Sequence, residues 1–164
     1  MKRILHFCVE KTENFGDDAI ILKIHQDLTD QFGDITIITK KLGFLSQGSI
    51  PVFLKNLLGV DLVLIGGGGI LSRFFWPFRN SFLKILQALS IPVVFYGVGV
   101  GLRVGESIET LPTDSITSWF SYAQKIAVRD IATKQAIETL GIHHAIMVGD
   151  PAISWNNTLH PLHN

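Results

Sequence analysis

The chain has 164 residues, 47% hydrophobic and 17% charged, with 14 Lys+Arg balancing 14 Asp+Glu to a formal net charge of zero. That size and apolar content suit one domain with a substantial core, and zero net charge leaves no global attraction to nucleic acid or to an anionic membrane. The single cysteine, Cys8, excludes an internal disulfide and fits a reducing cytoplasm. No run of about 18 uncharged apolar residues marks a transmembrane helix, so no stable membrane insertion is expected. The opening Met-Lys-Arg-Ile-Leu-His-Phe-Cys-Val is too short in its apolar part for a signal peptide and reads as a first strand.

Short apolar, β-branched runs predict strands at Ile4–Val9, Ile35–Thr39, Asp61–Ile65, Pro92–Val98, Lys125–Val128 and Ala145–Val148. After the first, Ile20, Ile24, Leu28 and Phe32 recur at i+4 and predict an amphipathic helix from about Asp17 to Phe32, ended by Gly33. Further helices are expected around Val52–Leu58, Ser81–Ser90, Ser115–Tyr122 and Ile131–Leu140, the last closed by Gly141. Strands alternating with helices are the signature of βαβ units, and the expected class is α/β, a doubly wound parallel sheet of Rossmann-like type. The domain is expected over residues 1–153, with 154–164 an unpatterned tail or truncated linker.

The unusual residues fall after these strands. Asn14-Phe-Gly16-Asp17-Asp18 follows the first, Lys40-Lys41 the second, Gly66–Gly69 the third, Gly97-Val-Gly99-Val-Gly101 the fourth, Arg129-Asp130 the fifth and Gly149-Asp150-Pro151 the sixth. In a parallel sheet these carboxyl ends form one edge, where open α/β folds bind ligands. Gly66, Gly67, Gly68 and Gly69 suit close backbone approach and an anion cradle at a helix N-terminus; the alternative is tight strand-to-helix packing. Asp17 is either an N-cap or a carboxylate that accepts a sugar hydroxyl or serves as general base. Arg129 is either a bidentate clamp for carboxylate or phosphate, or the partner of Asp130 or Asp150 in a structural ion pair; Asp130 reads as a helix N-cap.

Other signals exclude more than they assign. Gly97, Gly99 and Gly101 are spaced G-x-G-x-G, not G-x-G-x-x-G, and no G-x-x-x-x-G-K-[ST] loop occurs, which argues against nicotinamide cofactors and P-loop ATP hydrolysis. The six histidines are scattered, so no metal site is expected. Arg73-Phe-Phe-Trp-Pro-Phe-Arg79 reads as core packing, a platform for a sugar ring, or a surface meeting a second domain or a lipid-linked substrate.

The ordered series "NFGDDAI" (Asn14–Ile20), "DLVLIGGGGIL" (Asp61–Leu71), "IPVVFYGVGVG" (Ile91–Gly101), "AVRDIAT" (Ala127–Thr133), "LG" (Leu140-Gly141) and "GDPA" (Gly149–Ala152) resembles the polysaccharide pyruvyl transferase family. The resemblance implies transfer of pyruvate from phosphoenolpyruvate, with no cofactor, onto two hydroxyls of a sugar or polysaccharide precursor. Such a transfer needs a base, for which Asp17 is a candidate, and cations or N–H groups for the donor, for which Arg129 and the Gly66–Gly69 run are suitable; Asn14, Gly16, Gly99, Gly101 and Asp150 are the other candidate substrate-binding residues. Arg73, Leu102 and Thr133 stand where the family often has an acidic residue, a proline and a serine. Family members resemble two-domain, glycosyltransferase-B-like enzymes about twice this size, so the expectation is an N-terminal half whose partner is a second α/β half or another copy. A stand-alone sugar- or anion-binding module and the N-terminal domain of another glycosyltransferase-like enzyme are the alternatives.

Overall fold

The computed structural model describes residues 1–9, 15–72, 76, 78–102 and 105–154. In chain order these form β1 (Lys2–Cys8), α1 (Phe15–Phe32), β2 (Ile35–Lys41), α2 (Phe44–Gln47), α3 (Ile50–Leu57), β3 (Leu62–Leu71) and α4 (Asn80–Ala88). There follow β4 (Val93–Val100), a short 3-10 turn (Ile108–Thr110), α5 (Thr113–Tyr122), β5 (Lys125–Val128), α6 (Ile131–Glu138), β6 (Ile146–Met147) and α7 (Pro151–Ser154). The six strands form one parallel sheet in the order β2-β1-β3-β4-β5-β6. The expected α/β doubly wound sheet is the observed one.

The chain steps from β1 outward to β2, then crosses back over β1 to β3 and continues away from it. Right-handed crossovers therefore put α1 on one face and α2 to α6 on the other. Side chains bear this out. Leu5, Phe7, Val63, Ile65, Val93, Phe95, Ile126 and Val128 pack with buried residues of α2 to α6 in one large core. On the opposite face, among the described residues, Ile4 and Leu64 meet Ile20 and Ile24 of α1 as buried partners, with Ala152 of α7 beside them. The reversal of direction lies between β1 and β3, and this is the crevice where such sheets take ligands.

One expectation is corrected here. Gly66–Gly69 do not follow the third strand; they lie inside β3, which runs on to Leu71, and Gly97 and Gly99 likewise lie inside β4. Gly66 pairs with Tyr96 and Gly68 with Val98, so the buried glycine backbone is satisfied by the ladder and not by a loop. Sequence propensity counts glycine as a strand breaker, but here the missing side chains are what let neighbours close in. A Cβ on Gly66 would overlap the Tyr96 carbonyl, and one on Gly67 would come within 3.0 Å of the Ile20 side chain. Helix α1 also starts at Phe15, earlier than expected, and α2 and the 3-10 turn carried no periodicity long enough to register. The tail expected from residue 154 begins with the last residue of α7; residues 155–164 lie outside the described residues.

Gly66→Ala should therefore destabilise the fold by on the order of 4 kcal/mol, since Gly66 has φ +151° and no room for a Cβ. Gly43→Ala is the control, with open space around it and φ −56°. Urea midpoints that moved equally in the two variants would contradict this account.

Candidate functional site at the carboxyl edge

Helix α1 lies directly on the bare backbone of β3. Its first turn carries Asp17 and Asp18, favourably placed for the positive end of the helix dipole. Asp17 is thus inside the helix and is not its N-cap, because α1 begins two residues before it. A Cβ on Gly68 would sit 3.0 Å from Asp17 Oδ1, so the absence of a side chain there makes space for this carboxylate. Gly16 is exposed at the same helix start, whereas Asn14 lies outside the described residues.

Across the edge, β4 ends against β3 and α6. Gly69 and Gly101 face each other so closely that a Cβ on Gly101 would be 2.5 Å from the Gly69 carbonyl oxygen. A Cβ on Gly99 would collide with the Arg129 guanidinium, so this glycine makes the bed on which the arginine lies. Gly97 serves α7 in the same way, since its Cβ would come within 2.8 Å of Pro151. Gly66, Gly67, Gly68 and Gly99 are buried, Gly69 is half-buried and Gly101 is exposed.

Arg129 follows β5 directly and remains partly open to solvent. Its Nε donates to Asp130 Oδ2 at 3.2 Å, and its Nη1 lies 3.8 Å from Asp150 Oδ2. Both carboxylates offered by the sequence as ion-pair partners are therefore present. Asp130 also caps α6, accepting from the Thr133 N–H at 2.7 Å. Burial alone would raise the Asp130 carboxyl, but hydrogen bonds from the Thr133 hydroxyl and N–H and the neighbouring Arg129 outweigh it and hold it below the ordinary carboxylate value. Asp150 accepts from the Ala152 N–H at 2.9 Å at the start of α7, with Pro151 as first helical residue.

Two features escaped the sequence reading. Thr133 is fully buried, and its Oγ1 accepts from the Val100 N–H at 2.9 Å, tying α6 to the end of β4. A serine hydroxyl at this position could accept the same bond. His6, also fully buried, lies 2.9 Å through Nδ1 from His25 Nε2 and 3.2 Å through Nε2 from the Gly66 carbonyl oxygen. Its signal was present in the sequence as a lone polar residue in an apolar strand, which demands a partner. Burial first, and then the adjacent His25, lower the His6 pKa from 6.5 to about 4. Of the aromatic run, Trp76 and Phe78 are buried and stacked 3.8 Å apart, which matches the core-packing reading; Arg73, Phe74, Phe75 and Pro77 lie outside the described residues.

The sequence matches the model of the polysaccharide pyruvyl transferase family over residues 14–163. The chain belongs to that family. No curated protein and no solved structure matches it. In this pyruvyl transferase family member no helix among the described residues is long and apolar enough to cross a membrane, and none of those residues form a group of three metal-ligand side chains.

Two measurements probe the internal contacts of this family member. Thr133→Val should cost about 1–3 kcal/mol by leaving the Val100 N–H without its acceptor, while Thr133→Ser should retain most of the stability. Equal losses in denaturant melts would mean that the hydroxyl is not what matters. For His6, the folded pKa of about 4 lies below the ordinary 6.5, so the unfolded chain binds more protons between these values and stability falls as pH drops through that window. The fall should reach on the order of 3 kcal/mol by pH 4. His6→Gln should flatten this part of the pH–stability curve, and an unchanged slope would count against the assignment.

Proposed function

We propose that this chain forms one wall of a pyruvyl-transfer site, with phosphoenolpyruvate as donor and a sugar of a cell-surface polysaccharide precursor as acceptor. Membership of the family over residues 14–163 carries the reading. In the transfer, C2 of the donor gains two C–O bonds to sugar oxygens and loses its C–O bond to phosphate. One hydroxyl proton ends on the methylene carbon, turning it into a methyl group, and the other leaves with phosphate. Such chemistry calls for a base at the attacking hydroxyl and for cations or N–H groups at the donor's carboxylate and phosphate.

Asp17, at the start of α1 beside Gly68, takes the role of base. Arg129 takes the donor anion. The bond from its Nε to Asp130 keeps the guanidinium aimed, while the 3.8 Å separation from Asp150 is loose enough for an incoming oxyanion to displace. Gly101 is exposed and Gly69, packed against it, is half-buried, so these are the more accessible glycines of the edge, whereas Gly66, Gly67 and Gly68 are buried against α1 and β4. Asp130 and Asp150 both flank Arg129, while Lys40 and Lys41 lie at the end of β2, so a multiply charged donor calls for further cations close to Arg129, which a second α/β half or a second copy of the chain would bring. Cys8 is buried and not disulfide-bonded, in keeping with work in a reducing cytoplasm.

An amide-resolved NMR titration with phosphoenolpyruvate tests this, with inorganic phosphate and a nucleotide-sugar as controls. Shifts specific to phosphoenolpyruvate should centre on Gly69, Gly101 and Arg129, and Arg129→Lys should weaken the response about tenfold by removing the bidentate fork. A response that is as strong with the nucleotide-sugar, or indifferent to Arg129→Ala, would overturn the reading.

A further inference from the structure

Helix α1 touches the glycine strand at successive levels. Asp17 lies at Gly68, Ile20 and Ile24 lie at Gly67, and His25 reaches Gly66 through His6. The isoleucine contacts are apolar and have no preferred direction, so they resist separation of helix and strand but only weakly resist sliding. The His25–His6–Gly66 link is directional. Its proton positions follow from its far end: a carbonyl oxygen only accepts, so His6 Nε2 must carry hydrogen. A fully buried, neutral His6 then has a bare Nδ1, which accepts, so the hydrogen between the rings belongs to His25 Nε2. Adding a proton to His6 Nδ1 would set two N–H groups head to head at 2.9 Å.

We propose that His25, His6 and the Gly66 carbonyl form a one-way hydrogen-bond relay that fixes the seat of α1 on β3 and so fixes Asp17 beside Gly68. His6 and His25 are positioning residues, and neither touches substrate. Asp17 and His25 are eight residues apart on one helix, about 12 Å along its axis, so a shift at one end is carried rigidly to the other. The first proton added to this neutral pair goes to His25 Nδ1, which does not face His6, so the relay keeps its direction. The importance of Asp17 rests on the proposed function; the relay itself does not.

The test begins with the unaltered chain near pH 7.5, using long-range proton–nitrogen correlation of the imidazole rings. Both rings should be in the Nε2–H form; finding His6 in the Nδ1–H form, or exchanging between forms, would overturn the proposal. His25→Leu should then shift the amide signals of Asp17 and Gly66–Gly69 and release His6 into a mixture of tautomers. His25→Gln, which keeps an N–H donor, should restore both. Unmoved Asp17 and Gly68 signals in the leucine variant would sink the positioning role even if the tautomers are as stated. Adding phosphoenolpyruvate to the unaltered chain separates the two readings, since no response at Arg129 would count against the donor site and leave the relay intact.

Discussion

The architecture depends on the close approach of one helix to one strand. Four consecutive residues without side chains, Gly66–Gly69, leave β3 bare at the place where the sheet reverses direction, and α1 settles into the space. Three of the four have positive φ, a conformation that side-chain-bearing residues seldom hold. The entropic cost of such a run is offset by what it admits: Ile20 and Ile24 against the strand, Tyr96 against Gly66, and Gly101 against Gly69. The opposing strand repeats the device, with Gly97 receiving Pro151 and Gly99 receiving Arg129.

Much of this order was legible in the sequence, and the exceptions share a cause. All six strands could be found because their apolar, β-branched runs are local signals, and α1 because its i+4 spacing persists over several turns. Gly66–Gly69 were misplaced because their strand character comes from neighbours distant in the chain, with Tyr96 and Val98 supplying the ladder. Asp17 was offered as an N-cap because helix starts read from local signals are uncertain by a residue or two, and α1 already includes Phe15. Asp130, whose capping bond spans three residues, was read correctly. The His6–His25 contact joins a strand to a helix 19 positions away and has no spacing rule, so only the oddity of a histidine among apolar residues announced it.

At the carboxyl edge, charge is arranged for aim more than for strength. Arg129 stands between two carboxylates, each of which also accepts from a helix-start N–H: Asp130 from Thr133 and Asp150 from Ala152. The first turns of α6 and α7 therefore set where the guanidinium points. The hydroxyl of Thr133 then ties this arrangement to the end of β4.

The sheet is also clothed unequally. Helices α2 to α6 bury one face in a continuous core, whereas α1 and the four residues of α7 guard the other over a small apolar cluster. Cooperative units with little buried apolar surface open at lower free energy than the whole domain. The thinly covered face is thus the natural first layer to lift, exposing the glycine strand while the thicker side keeps the sheet assembled.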